Sequence, residues 1–174
     1  MSEKKEVFLT ETAFISMVTA VVEAYPQETL GVLFGLRKLD KIWVQHAIVY
    51  QTAERKKQEV SVDEERKRRM DKFLSRVTHL EIIGDFHSHP ERDVLGESYK
   101  LSPRDKNDME VKSLGIVIVA QKDGENREWE HFQKGSLCGS VYPYSLRITS
   151  WFKSNETKYE IAEIYCPFAL GLKR

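Results

Sequence analysis

His87 and His89 are the residues of this sequence best suited to chemistry by type and spacing. They stand two apart near the end of an apolar segment, 80–89, that is typical of a β-strand. Because side chains alternate between the two faces of a strand, we expect both imidazoles on one face and Ser88 on the other. Two neighbouring neutral imidazoles form a natural half-site for zinc, and Pro90 ends the strand just beyond them. The alternative is a chance pair on a polar strand edge.

A catalytic zinc site needs a third protein ligand and leaves its fourth position to water. The best candidate is Asp105, in the segment Ser102-Pro103-Arg104-Asp105. Serine as N-cap, proline in the first turn and an acid at the third position indicate a helix start. Capping alone explains these residues, but it is compatible with ligation, since a capped helix start would hold Asp105 in place. Asp108, one helical turn further on, is the weaker alternative.

Hydrolysis at such a centre also needs a base for the attacking water. Glu28 stands at the start of an apolar strand, in the segment 25–31. Burying a carboxylate is costly unless the carboxylate has a partner or a function. Glu28 is a candidate base, although these residues by themselves favour a solvated loop acid.

Helices and hairpins must position these residues. Predicted helices span 11–25 and 102–113, and a third, charged and amphipathic, follows a capping-box pattern at Ser61-x-x-Glu64. Predicted strands span 30–39, 41–50, 80–89 and 115–122, with further hairpin strands towards the C-terminus. Because hairpins outnumber crossover units, the predicted fold class is α+β, a mixed β-sheet flanked by helices.

Composition limits the possible classes of protein. The 174 residues carry 27 Lys and Arg against 27 Asp and Glu, and 41% are hydrophobic. These values suit a single domain, 1–174, and exclude wholesale disorder. The charge balance argues against a nucleic-acid partner, and the basic cluster 66–69 fits a solvated helix face.

No apolar run approaches the roughly 18 residues of a membrane span, so we expect no membrane partner and a cytoplasmic location. Cys138 and Cys166 form no C-x-x-C pair and are expected to be reduced.

Three segments together resemble the JAMM motif of the MPN+ (JAB1/MPN/Mov34) family of zinc metalloproteases. That motif consists of an upstream Glu, a His-Ser/Thr-His-Pro sequence and a Ser-x-x-Asp sequence. In this chain they correspond to Glu28, to residues 87–90 and to residues 102–105. The resemblance extends over residues 7–122 and implies the fold of an MPN domain.

The spacer before the serine departs from the family pattern. With the family's usual, shorter spacer the serine would be Ser98 and the acid position would fall on Leu101, which cannot bind a metal. Eleven residues, 91–101, precede Ser102 instead, and this register places the acid at Asp105. The long loop 91–101 either pairs with an extended substrate tail by strand addition or is a solvated surface loop.

The resemblance implies a Zn²⁺-dependent isopeptidase or peptidase, similar to deubiquitinases. Its substrate would be a ubiquitin-like or sulfur-carrier protein, cleaved after the C-terminus of that protein. His87, His89 and Asp105 would bind Zn²⁺. Glu28 would take a proton from the attacking water, and Ser102 would stabilise the oxyanion. The alternatives are a non-catalytic MPN scaffold in a larger complex, and a zinc amidase acting on a small molecule or short peptide. The sequence leaves open whether the chain forms a homo-oligomer.

Overall fold

The computed structural model describes residues 5–50, 54–55, 60–61, 63–77, 79–90 and 94–172. Within these residues the helices are α1 (Glu11–Ala24), α2 (Glu64–Val77), α3 (Pro103–Asp108) and α4 (Pro167–Gly171). The strands are β1 (Glu6–Leu9), β2 (Leu30–Lys38), β3 (Lys41–Val49), β4 (Glu54–Arg55), β5 (Val60–Ser61), β6 (Glu81–Pro90), β7 (Leu114–Lys122), β8 (Glu130–Phe132), β9 (Ser136–Val141), β10 (Tyr144–Lys153) and β11 (Tyr159–Tyr165).

Nine of these strands form one sheet in the order β11-β1-β3-β2-β6-β7-β10-β9-β8. The sheet closes because β10 has two successive partners: residues 144–148 pair with β9, and residues 150–153 pair with β11. Since β11 also lies parallel to β1, seven strands form a barrel.

The predicted α+β architecture, a sheet flanked by helices, is wrong. The described chain is a closed barrel with few helices, and α3 and α4 span only six and five residues. The reason lies in β1, the strand that joins β3 to β11. Its four residues are too few to produce a recognisable period of two, so no local pattern indicates that the sheet closes.

Strand β7 is buried on both faces. Ile116 and Ile118 belong to the main apolar cluster, which includes side chains of α1, whereas Val117 and Val119 belong to a second cluster. Because neighbouring residues of a strand point to opposite faces, the two clusters lie on opposite sides of β7. Side chains from 94–101 cover the second cluster, so this segment is part of the packed structure.

Strand β6, which carries both histidines, runs between β2 and β7. Gly84 has a φ of 153°, and a Cβ atom at this position would lie 1.7 Å from the main-chain oxygen of Leu114. Only glycine therefore lets β6 approach β7 this closely. The close pairing continues to His87 and His89, which pair in register with Val117 and Val119.

Helix α2 begins one residue after Asp63 and does not use the predicted capping box at Ser61. The Asp63 Oδ1 atom accepts a hydrogen bond from the Arg66 N–H at 2.9 Å, and Ser61 belongs to β5. An aspartate nearer to the helix therefore replaces the serine as the cap.

Helix α3 is shorter than the predicted helix 102–113. After Asp108 the main chain turns towards β10, where the Lys112 N–H donates to the Lys153 carbonyl and the Lys153 N–H donates to the Ser113 carbonyl. These sheet-like bonds replace further helical turns. Among the described residues, no helix has the length and apolar character needed to cross a membrane.

Candidate metal centre

His87, His89 and Asp105 bring three possible ligand atoms together. The Nε2 atoms of the two histidines are 3.2 Å apart. The Asp105 Oδ2 atom lies 3.5 Å from the first of these nitrogens and 3.9 Å from the second. The three side chains are largely buried, and they come from one strand and one separate helix start. A group of this kind could hold a metal ion.

The helix start fixes the carboxylate. The Ser102 Oγ atom accepts a hydrogen bond from the Asp105 N–H at 3.1 Å, and Asp105 Oδ2 accepts one from the Ser102 N–H at 2.7 Å. Asp108, the alternative ligand, has an exposed side chain 3.5 Å from Arg104 Nε. The structure therefore brings Asp105, and not Asp108, to the histidine pair.

The spacing of the three donors suits zinc. Ligand atoms about 2.0–2.1 Å from a tetrahedral zinc ion are about 3.3–3.4 Å apart. The distances of 3.2, 3.5 and 3.9 Å are close to that value. Two imidazoles and one carboxylate are also a ligand set found in catalytic zinc sites, which leave one position open. The residues present fit the metal that the resemblance implies.

The second nitrogen of His89 is held as well. Its Nδ1 atom is 2.8 Å from the Ser98 carbonyl oxygen, which can only accept, so Nδ1 carries the proton. The lone pair of Nε2 then faces His87 and Asp105. A hydrogen bond of this kind fixes the tautomer and the ring orientation of a histidine ligand.

The electrostatics of the site favour a cation. Burial alone would lower the pKa of His87, but the hydrogen bond and charge of Asp105 outweigh it and raise that pKa above its ordinary value. Burial alone would raise the pKa of Asp105, but His87 and the hydrogen bonds from Ser102 hold it well below its usual range. The carboxylate is therefore ionised at neutral pH, and positive charge between the ligands is stabilised.

Glu28 lies in the turn between α1 and β2, and this turn is tied to β6. The Thr29 N–H donates to Ser88 Oγ at 2.9 Å, and the Ser88 N–H donates to the Thr29 carbonyl at 3.0 Å. Ser88 points away from the two histidines, as predicted, and thereby reaches Thr29. The Glu28 side chain is half-buried, and its charge contributes to the raised pKa of His87. The structure thus brings Glu28 to the same site.

A groove of about 1430 Å³ contains this site. Its wall includes Glu28, both histidines, Ser102 and Asp105, and it extends to Lys67 and Asp71 of α2. The Ser102 hydroxyl, whose oxygen accepts the capping bond from the Asp105 N–H, also lies on the wall of the groove.

Sequence reasoning missed Asp85. It precedes His87 by two residues, so the period of two places it on the same face of β6, and it lines the same groove. Removal from solvent raises the pKa of Asp85 to about 6, although the charges of His87 and Lys67 oppose the shift. The period of two that predicts both histidines on one face of β6 also predicts Asp85 on that face, so the sequence contained a signal for this residue.

The loop 91–101 falls partly outside the described residues, which resume at residue 94. The interpretation as a solvated surface loop describes only part of 94–101. Val94, Tyr99 and Leu101 are buried, whereas Leu95, Glu97 and Lys100 are exposed. Pairing of the loop with a substrate tail stays a prediction. The carbonyls of Ser98 and Tyr99 already accept hydrogen bonds from His89 and Trp151.

Comparison with known proteins gives a family and a fold. A solved structure, protein DSY2949 from Desulfitobacterium hafniense, is similar at a TM-score of 0.64 over 92% of both chains, with 18% sequence identity. At that identity the likeness shows a shared fold alone. No curated protein matches the chain in sequence. The sequence model of the family described as prokaryotic homologues of the JAB domain matches residues 10–132. The match confirms the resemblance to the JAB1/MPN family seen in the sequence, and the chain belongs to the prokaryotic JAB-domain family.

Proposed function

We propose that this chain is a zinc-dependent peptidase or isopeptidase of the JAMM type. One observation carries the proposal: the three donors His87, His89 and Asp105 converge in a groove that Glu28 also lines. Structural zinc sites usually have four protein ligands, whereas catalytic sites have three and leave one position open. Three donors beside a carboxylate base match the second kind.

Each side chain of the site has a separate role in the proposed hydrolysis. His87, His89 and Asp105 would hold the zinc ion, which when bound acidifies water and polarises a carbonyl. Glu28 accepts a proton from the attacking water and delivers it to the departing amine as the amide bond breaks. The Ser102 hydroxyl donates a hydrogen bond to the carbonyl oxygen as negative charge develops there. No side chain forms a covalent bond to the substrate.

We propose as substrate the C-terminal tail of a ubiquitin-like or sulfur-carrier protein, joined through an amide bond. The groove, at about 1430 Å³, exceeds the roughly 300–1,000 Å³ of small-molecule pockets. It is also open and lined by charged groups, from Glu28 to Lys67 and Asp71. These properties suit an extended polypeptide better than a small apolar molecule, which favours a protein conjugate over the small-molecule amidase.

The test is turnover of defined conjugates by the purified chain. Linear fusions and isopeptide conjugates of ubiquitin-like and sulfur-carrier proteins are incubated with the chain, with phenanthroline, or with its non-chelating isomer. We expect cleavage after the modifier's C-terminus, read by intact mass, that only the chelating isomer abolishes and that added zinc restores. Cleavage of short amides alone would support the amidase, and bound zinc without any turnover would support the scaffold.

A further inference from the structure

Arg147, in the middle of β10, is a buried cation that the hydrolytic mechanism does not use. Its side chain is 2% exposed, and it forms no ion pair with a carboxylate among the residues that the structure describes. Burying an unpaired charge is expensive, and an apolar side chain would fill the same space at lower cost. The presence of an arginine at this buried position therefore indicates that its hydrogen bonds have a role.

Those hydrogen bonds hold the segment 96–99 from one side. Arg147 Nη1 donates to the Gly96 carbonyl at 3.2 Å, and the guanidinium stacks on the Tyr99 ring with 3.9 Å to the centroid. On its other side Arg147 is fixed by Ser136 Oγ, which accepts from Nε at 3.1 Å. A planar guanidinium can stack and donate in a fixed direction at the same time, which lysine cannot do.

The held segment is the one that orients His89. Ser98 lies between the two points of contact with Arg147, and its carbonyl accepts the hydrogen bond from His89 Nδ1 at 2.8 Å. His89 and Arg147 also occupy one row of the sheet, because each pairs with Val119 from opposite sides. With strands about 4.8 Å apart, their Cα atoms are about 10 Å apart and their side chains share one face. The segment bridges the two side chains.

We propose that Arg147 is a positioning residue for the metal centre. By holding the segment 96–99 it places the Ser98 carbonyl where it keeps the proton of His89 on Nδ1 and leaves Nε2 for the metal. The inference rests on the metal site of the proposed function but not on the reaction.

The experiment reads the tautomer of His89 directly in metal-free protein. Long-range ¹H–¹⁵N NMR spectra of the His89 ring are compared for the wild type, Arg147→Lys and Arg147→Met. Arg147→Lys keeps the charge and much of the volume, and Arg147→Met keeps the length without any donor. Ser145→Ala is the matched control, because Ser145 is a buried neighbour on the same face of β10 and its hydroxyl bonds to Asp123 and Arg127 rather than to Ser136 or the segment.

We expect the wild type and Ser145→Ala to show one tautomer, protonated at Nδ1, and both Arg147 variants to show a mixture. Zinc affinity, measured by competition with a chelator, should fall about 10–100-fold in the Arg147 variants and less than about twofold in Ser145→Ala. One folded Arg147 variant suffices for the comparison.

A wild-type tautomer ratio of His89 together with wild-type zinc affinity in a folded Arg147 variant would overturn the proposal. Failure of both variants to fold, with Ser145→Ala folded, would overturn it as well, since Arg147 would then be needed for the fold itself. A chain that shows the expected coupling but cleaves no conjugate would refute only the proposed function.

Discussion

Ser88 and Thr29 exchange two hydrogen bonds that join the glutamate-bearing turn to the histidine-bearing strand. The Ser88 hydroxyl accepts from the Thr29 N–H at 2.9 Å, and the Thr29 carbonyl accepts from the Ser88 N–H at 3.0 Å. Both residues are buried. The position of Glu28 relative to His87 therefore depends on a contact between two residues that take no part in the chemistry.

Ser88→Ala should separate the base from the metal ligands. The variant leaves the buried Thr29 N–H without its acceptor, which should cost about 1–3 kcal/mol of unfolding free energy. We expect kcat on a conjugate to fall while zinc content stays at one per chain, because His87 and His89 remain in place. Ser88→Thr keeps the oxygen and is the control. Equal loss of kcat in both variants would show that the hydroxyl is not the cause.

Asp105→Ala and Asp108→Ala form a matched pair on one short helix. Asp105 Oδ2 lies at the histidine nitrogens, whereas Asp108 is exposed beside Arg104. Metal analysis after dialysis should find zinc lost from Asp105→Ala and retained in Asp108→Ala. The opposite result would assign the third ligand to Asp108. The unfolding midpoint is measured alongside, since Asp105→Ala also removes one bond of the cap.

Glu28→Gln tests the proton transfer alone. The amide is nearly isosteric with the carboxylate but cannot accept a proton at neutral pH, so zinc should stay bound. Loss of a general base typically lowers the rate by about 10²–10⁴-fold. We expect a fall of kcat in that range with little change in KM. Full activity would contradict the role of Glu28.

The three possible metal ligands could be predicted from the sequence because their signals are short-range, whereas the role of Glu28 came from the family resemblance. The period of two placed His87 and His89 on one face, and the capping pattern placed Asp105 at a helix start. Each of these signals lies within a few residues of the side chain it concerns.

The closed barrel could not be predicted in this way. It depends on β1 pairing with β11, for example Glu6 with Glu163, and no local pattern indicates a partner so far along the chain. Arg147 was missed for a similar reason. In the sequence it is one charged residue within an amphipathic strand, and only the packing of 94–101 against β10 shows that it is buried.

The two cysteines provide a test of reaction class. Cys138 and Cys166 are both free and buried. Burial raises the pKa of the Cys138 thiol to about 12, against the opposing charge of Arg147, and burial also raises the pKa of Cys166. A raised thiol pKa means that the unreactive neutral form predominates at pH 8.

Iodoacetamide at pH 8 should therefore add no mass to the native chain and leave conjugate cleavage unchanged, as read by intact mass and by turnover. The same reagent in guanidinium chloride should modify both cysteines, which shows that the reagent is active. Loss of activity together with a single adduct on the native chain would indicate a cysteine nucleophile and contradict the zinc mechanism.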